Sequence, residues 1–122
     1  MPIIQCEVEM QGQLYADGLP RVEVYVSTRD MNLVAMPNAG QRVHIILVCP
    51  NGSTYQGGLR DYQGSGCPYI CPDLFTSSRS KVSLAEVLRA NGVPLSSKQP
   101  VRFEVSGNTW KLKPNHLPNI SN

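Results

Sequence analysis

Long apolar segments, aromatic side chains and histidines are all scarce in this 122-residue chain. No stretch is apolar for long enough to cross a bilayer, and the charged, alternating pattern after Met1-Pro2 is unlike the basic and then apolar start of a signal peptide. We therefore expect an intracellular protein with no membrane partner. The net charge is only +2, which fits a local basic face better than a nonspecific polycation. With 41% hydrophobic residues, one compact domain can bury a core without metal or disulfide cross-links.

Recognisable catalytic motifs are missing as well. Pro72-Asp73 begins the Pro-Asp, Asp/Glu-x-Lys pattern of magnesium-dependent nucleases, but no acidic residue stands two positions before any lysine. The two histidines, His44 and His116, are isolated, and the chain has no glycine-rich phosphate loop with Gly-Lys-Ser/Thr. We therefore expect no catalytic residue in this chain and no cofactor.

The cysteines number four and stand at positions 6, 49, 67 and 71. The segment Cys67-Pro68-Tyr69-Ile70-Cys71 is predicted to be extended, which would put its two cysteine Cα atoms about 13 Å apart. A disulfide requires less than about 7 Å. A zinc site would need a tight turn between these two cysteines and a second pair of ligands nearby. We expect four reduced thiols and no metal.

Alternation of apolar and polar residues dominates the chain and predicts β-strands. The predicted strands are 3–10, 22–26, 33–36, 43–48, 55–59, 69–70, 101–105 and 109–113. Asn51-Gly52 predicts a tight hairpin, and Gly57-Gly58 predicts a bulge or a sharp bend within a strand. Ser83 and Glu86 form a capping box for one clear helix, which Asn91-Gly92 ends. The sum is a mainly β fold of about seven strands with a single helix, and the strand count with short turns argues for a closed or nearly closed barrel.

Two Arg-Asp steps, Arg29-Asp30 and Arg60-Asp61, lie in polar breaks between predicted strands. An arginine can donate two hydrogen bonds to the O6 and N7 edge of guanine, and a carboxylate can accept from the N4 amine of cytosine. One step therefore carries the chemistry to read a C·G pair of duplex DNA. Neighbouring opposite charges are also common on solvated loops that bind nothing, so the dipeptide alone is a weak signal.

The order of elements resembles the B3 DNA-binding pseudobarrel. Between residues 21 and 113, strands, two polar arms, an Asn-Gly hairpin, a basic Ser-rich loop and a capped helix follow one another as they do in that family. B3 domains occur in plant transcription factors and in the effector-binding domains of EcoRII-type restriction endonucleases. The resemblance implies an open seven-stranded pseudobarrel. It also implies two arms, here 27–32 and 60–66, that contact the major groove.

The missing plant-type basic and aromatic signatures, and the additional strand 3–10, favour the bacterial restriction branch. That branch implies a cytoplasmic bacterial protein and the site 5′-CCWGG. It also implies that 1–113 is the DNA-binding domain and that 114–122 is a linker or tail leading to a nuclease domain downstream.

Mapping the arms and the basic loop onto this sequence gives two sets of candidate residues. The candidates for reading bases are Arg29, Asp30, Met31, Asn32, Arg60, Asp61, Tyr62 and Gln63. The candidates for contacting DNA phosphates are Arg21, Thr28, Ser65, Ser78, Arg79 and Lys81.

Two other functions are compatible with a small β-barrel. The arms could be interaction loops for a protein or peptide, or the barrel could bind single-stranded nucleic acid by stacking bases on aromatic side chains. Only Tyr62 and Tyr69 are well placed for stacking, and the aromatic content of 7% argues against that function.

Overall fold

The computed structural model describes residues 2–14, 18–34, 41–61 and 67–114, with the side chain of Thr28 left out. Within these ranges the chain forms nine β-strands, one short 3-10 helix and one α-helix. Their bounds are β1 (Ile3–Leu14), β2 (Pro20–Val26), the 3-10 helix (Thr28–Leu33), β3 (Arg42–Val48), β4 (Thr54–Arg60), β5 (Tyr69–Ile70), β6 (Asp73–Phe75), β7 (Lys81–Ser83), α1 (Leu84–Ala90), β8 (Pro100–Ser106) and β9 (Thr109–Leu112).

Seven of the strands close into a barrel in the order β3-β9-β8-β1-β2-β5-β4, and β4 pairs back onto β3. All pairings are antiparallel except β3 with β9, which run parallel and place Leu47 beside Trp110. The mainly β class, the seven barrel strands and the single α-helix are confirmed. The expected open pseudobarrel is wrong, because β3 has a partner on each edge and the ring closes there.

The core is built by strict alternation along the long strands. Ile4, Cys6 and Val8 on β1 are fully buried, as is every second residue of β2 from Val22 to Val26. Phe103 and Trp110 pack at a ring-centroid distance of 5.4 Å in an edge-to-face arrangement. Because side chains alternate between the two faces of a strand, the residues between these core positions lie on the outer surface.

Two strands outside the barrel, β6 and β7, form a hairpin that extends from β4 through the pairing of Gln56 with Phe75. The α-helix follows directly. The Oγ of Ser83 accepts a hydrogen bond from the backbone N–H of Glu86 at 3.1 Å, which confirms the predicted N-cap. Sequence analysis missed β6 and β7, since three residues are too few to show a period of two.

The Asn51-Gly52 hairpin is confirmed between β3 and β4. The backbone N–H of Ser53 donates to Oδ1 of Asn51 at 2.9 Å, and Gly52 has a φ of 91°, a conformation that favours glycine. The predicted bulge at Gly57-Gly58 is wrong. The β3–β4 register runs without a shift from Arg42 opposite Arg60 to Val48 opposite Thr54.

The prediction of a strand at 33–36 is also wrong for Leu33 and Val34. Leu33 ends the 3-10 helix, and Val34 follows it with its N–H donating to the carbonyl of Met31 at 3.4 Å. Residues 35–36 lie outside the described part of the chain. The tail 115–122 lies outside it too, so the linker stays a prediction.

Candidate nucleic-acid interface

Both predicted arms leave the barrel at the same end. Strand β5 pairs antiparallel with β2 on one side and with β4 on the other, so Tyr25, Tyr69 and Arg60 lie in one row across the three strands. Strands β2 and β4 therefore run in the same direction, and their C-terminal ends, where the arms begin, are about 10 Å apart. The β4–β5 pairing is local in sequence, whereas the β2–β5 pairing joins residues more than 40 positions apart.

The first arm is the 3-10 helix, and its aspartate is fixed within the fold. Oδ2 of Asp30 accepts a hydrogen bond from the backbone N–H of Gln5 at 2.7 Å, and the backbone N–H of Ser27 donates to the carbonyl of Gln5 at 2.9 Å. Nε of Arg29 lies 3.6 Å from Oδ1 of Asp30. The side chain of Arg29 is 74% exposed and that of Asp30 only 10%. The carboxylate therefore anchors the arm to β1, while the guanidinium faces solvent.

The second Arg-Asp step likewise combines an exposed arginine with a buried aspartate. Arg60 ends β4 and is exposed, whereas Asp61 is buried. In this conformation neither aspartate presents its carboxylate to a base edge, so the arginines carry the surface chemistry of both steps. Sequence analysis could not separate the two roles, because burial of Asp30 depends on a backbone hydrogen bond from 25 positions away.

The other arm candidates divide in the same way between core and surface. Met31 packs against the core, and Asn32 is exposed. Tyr62, Gln63 and Ser65 lie outside the described residues, as does the side chain of Thr28.

Two adjoining clefts, of about 390 and 260 Å³, lie on the outer surface at this side of the barrel. Arg42 and Phe75 line both. Arg79 lines the larger cleft, and Arg21 and Arg60 line the smaller one. We call the two clefts together the basic groove. Arginines from β2, β3, β4 and the β6–β7 turn thus converge on one surface, although they are up to 58 positions apart in the sequence.

Positive charge in the basic groove is only partly balanced by the protein. Within the described ranges, none of these four guanidinium groups takes part in an ion pair, although the carboxylates of Glu23 and Asp73 also line the smaller cleft. Arg42 and Arg60 stand directly opposite each other in the β3–β4 pair. Like charges at such positions are destabilising, so this surface favours an anion.

The β6–β7 turn brings more candidates to the groove. Oγ1 of Thr76 accepts from the backbone N–H of Ser80 at 3.0 Å, and the carbonyl of Thr76 accepts from the N–H of Arg79 at 2.9 Å. Arg79 adopts a left-handed backbone with a φ of 69°, which keeps this turn tight. Ser78 is exposed in the same turn, and Lys81 follows it with Nζ 3.7 Å from Oδ2 of Asp73.

Cys71 lines the smaller cleft. Burial raises the pKa of its thiol, and the positive charges of Arg42 and Arg60 oppose that shift only in part. The thiol therefore stays protonated at neutral pH. All four cysteines are free, and no three potential ligands of the histidine, cysteine or carboxylate type come together among the described residues.

Arg42 is the residue that sequence analysis missed. It is the first residue of β3, and the only signal that could have found it is the register of the hairpin, which puts it opposite Arg60. His44, two positions further along the strand, is exposed and lies 3.2 Å from Oε1 of Gln56 through Nε2.

No helix in the described ranges has the length and apolar character to span a membrane. Comparison with family models, with curated proteins and with solved structures found no match to this chain. The interpretation of the basic groove therefore rests on its own geometry and charge, together with the resemblance noted in the sequence.

Proposed function

We propose that this chain is a sequence-specific double-stranded DNA-binding domain. The observation that carries the proposal is the common position of the two arms, which leave the barrel at the end where the arginines of the basic groove, none of them in an ion pair within the described ranges, outnumber its carboxylates. In protein–DNA complexes, basic side chains hold the phosphate backbone while a few side chains read base edges in the major groove. The arrangement of this surface supports both contributions.

In this proposal the exposed arginines and the buried aspartates of the two arms have different roles. Arg29 contacts a guanine edge in the major groove, since its side chain is the exposed member of the first step. Arg60, the exposed member of the second step, stands opposite Arg42 on the barrel strands and contacts the DNA backbone, in place of the guanine contact expected from the sequence. The buried Asp30 holds the first arm in place, and Asp61 is likewise buried, so an interior position replaces the cytosine-reading role first expected of both from the sequence. An additional set contacts phosphates, namely Arg21, Ser78, Arg79 and Lys81.

At a finer level, we propose that the domain is a B3-like effector domain of an EcoRII-type restriction endonuclease. The support is the order of elements from 21 to 113 and the place of the two arms. Such a domain binds without cutting, recognises 5′-CCWGG, and makes cleavage by a downstream nuclease domain depend on a second copy of the site.

Stacking of single-stranded bases is less well supported. Tyr69, one of the two tyrosines considered for it, is 7% exposed and packs on Tyr25 with ring centroids 5.1 Å apart. Its ring is therefore already covered, whereas base stacking requires an open aromatic face.

Fluorescence anisotropy at physiological salt tests the proposed function. We expect a labelled duplex with 5′-CCWGG to bind at least about tenfold more tightly than a scrambled duplex of equal composition, and more tightly than either single strand. Equal affinity for the two duplexes would contradict sequence-specific binding. Preference for single strands, or capture of a peptide with no DNA binding, would support the alternative functions.

A matched control is Arg102→Ala. Arg102 is exposed on β8, opposite Gln5 of β1, and it lines neither cleft of the basic groove; β1 separates β8 from β2 on one side, and β9 separates it from β3 on the other. Loss of this charge should leave the preference for the 5′-CCWGG duplex over the scrambled duplex unchanged.

A further inference from the structure

Arg42 occupies the point where the two clefts of the basic groove meet. It lines the cleft that contains Arg79 and also the cleft that contains Arg21 and Arg60. A single guanidinium at this junction can reach a ligand that runs through both clefts.

The position of Arg42 depends on a glycine in the neighbouring strand. A Cβ built on Gly58 would lie 2.6 Å from Cγ and 2.7 Å from Cδ of Arg42, well inside van der Waals contact. The arginine therefore lies flat across β4. On the other edge of β4, the carbonyl of Gly58 accepts from the N–H of Cys71 at 2.9 Å, and Cys71 lines the smaller cleft together with Arg42. This close approach is the physical reason for a glycine here, where a bulge was predicted.

The two positive charges of Arg42 and Arg60 face each other across the strands, so this pair favours an anionic partner. The two residues are direct cross-strand neighbours, both are exposed, and neither has an ion pair within the described ranges. A phosphate between two guanidiniums would accept charge-assisted hydrogen bonds from both and relieve their repulsion.

We propose that Arg42 and Arg60 clamp one phosphate of a DNA strand, and that the strand continues past Arg42 so that its next phosphate lies in the cleft of Arg79. This inference rests on the proposed function and adds to it a path for the backbone. Arg42 then contributes affinity for every sequence, in contrast to the base-reading role of Arg29.

The salt dependence of binding tests the clamp, because its slope counts the phosphates that a protein neutralises. We expect Arg42→Ala to reduce the slope of log K against log salt concentration by about 1. We also expect it to weaken the 5′-CCWGG and scrambled duplexes alike, by about tenfold near 0.1 M salt. Gly58→Ala keeps every charge but displaces Arg42, so it should weaken both duplexes in the same direction. Arg102→Ala removes one positive charge from outside the groove and should change neither quantity.

Thermal unfolding by circular dichroism shows whether each variant is folded, and a second substitution, Arg42→Lys, keeps the charge if Arg42→Ala unfolds. Arg42→Lys should restore the slope but not the full affinity, since lysine cannot donate the paired hydrogen bonds of a guanidinium.

If the wild-type chain binds duplex DNA and Arg42→Ala leaves slope and affinity unchanged, the clamp is wrong and the proposed function stands. Loss of the cognate preference alone would make Arg42 a base-reading residue. If the wild-type chain binds no duplex, both proposals fail.

Discussion

Two sides of the barrel differ sharply in charge, although both present residues outward from regular strands. Along β3 and β4, Arg42 and Arg60 are cross-strand neighbours; along β1 and β2, Glu9 and Glu23 are cross-strand neighbours. Each side thus places like charges directly opposite one another, which costs free energy in an isolated protein. The boundary lies on β2, where Arg21 and Glu23 both line the basic groove.

The separation of basic and acidic side chains onto two sides of the barrel is more informative about function than the net charge of +2. A polyanion is attracted to one side of the barrel and repelled from the other, so the charges orient it before any specific contact forms. The second arm begins on the basic side, because Arg60 itself starts it, whereas the first arm is anchored to β1 through Asp30. In the proposed complex, the acidic side would disfavour binding in the wrong orientation.

Charge reversal on each side gives the largest expected effect. Arg60→Glu removes a proposed phosphate contact and places a negative charge in the basic groove, so we expect affinity for the 5′-CCWGG duplex to fall by about 3 kcal/mol, roughly a hundredfold. Glu9→Lys on the acidic side should leave that affinity within about twofold at physiological salt. Anisotropy titrations of both variants measure the contrast. Equal losses would show that the two sides do not differ in function.

The two members of the first Arg-Asp step should separate into binding and stability. Asp30→Ala leaves the backbone N–H of Gln5 without its acceptor, so the free energy of unfolding should fall by about 1–3 kcal/mol. Arg29→Ala should leave unfolding nearly unchanged and weaken the cognate duplex by about 1–3 kcal/mol. Denaturant unfolding and anisotropy together test this division. A destabilised Arg29→Ala with normal DNA affinity would reverse the assignment.

Adjacent glycines of β4 provide a smaller contrast between interior and surface. A Cβ on Gly57 would lie 2.8 Å from Cδ2 of the fully buried Leu74, so Gly57→Ala should destabilise the fold by about 1–3 kcal/mol. Gly58→Ala displaces only the flexible, exposed Arg42 and should cost less than about 1 kcal/mol of stability. Urea unfolding of the two variants measures the difference, and a larger loss for Gly58→Ala would contradict the packing described here.

The smallest expected effect concerns Cys6, whose thiol lies in the core behind the acidic side. Burial raises the pKa of this thiol far above its ordinary value of 9.0, and the charge of Asp30 adds to the shift. The native thiol therefore keeps its proton above pH 9, whereas the unfolded chain loses it, and stability falls as the pH rises through this range. The decrease in unfolding free energy between about pH 8 and about pH 10 should therefore be smaller for Cys6→Ala than for the wild type. An identical pH dependence in both proteins would exclude a contribution from Cys6.

Local features of the fold could be predicted from the sequence, and those that depend on distant pairing could not. Asn51-Gly52 and the cap at Ser83 are set by neighbouring residues and are confirmed. Closure of the barrel depends on parallel pairing of β3 with β9, more than 60 positions away, and no local pattern indicates it. The contact that fixes the first arm is likewise distant in sequence, since Asp30 in the 3-10 helix accepts its hydrogen bond from Gln5 of β1.

The candidate site shows the same limit. Arg29, Arg60 and Arg79 were recognisable because they stand in polar breaks between strands, where binding residues are common. Arg42 stands at the start of an ordinary strand, and its importance depends on two features that only the structure reveals. One is the register that places Arg60 opposite it, and the other is the missing side chain of Gly58 beneath it.

The most direct test of the central claim is a map of backbone amide NMR shifts during titration with the 5′-CCWGG duplex. Binding along the basic groove predicts the largest shifts at Arg42, Arg60, Cys71 and Arg79, with Glu7 and Glu9 unaffected. Shifts concentrated on β8 and β9, around Arg102 and Lys111, with none at the groove, would contradict the account.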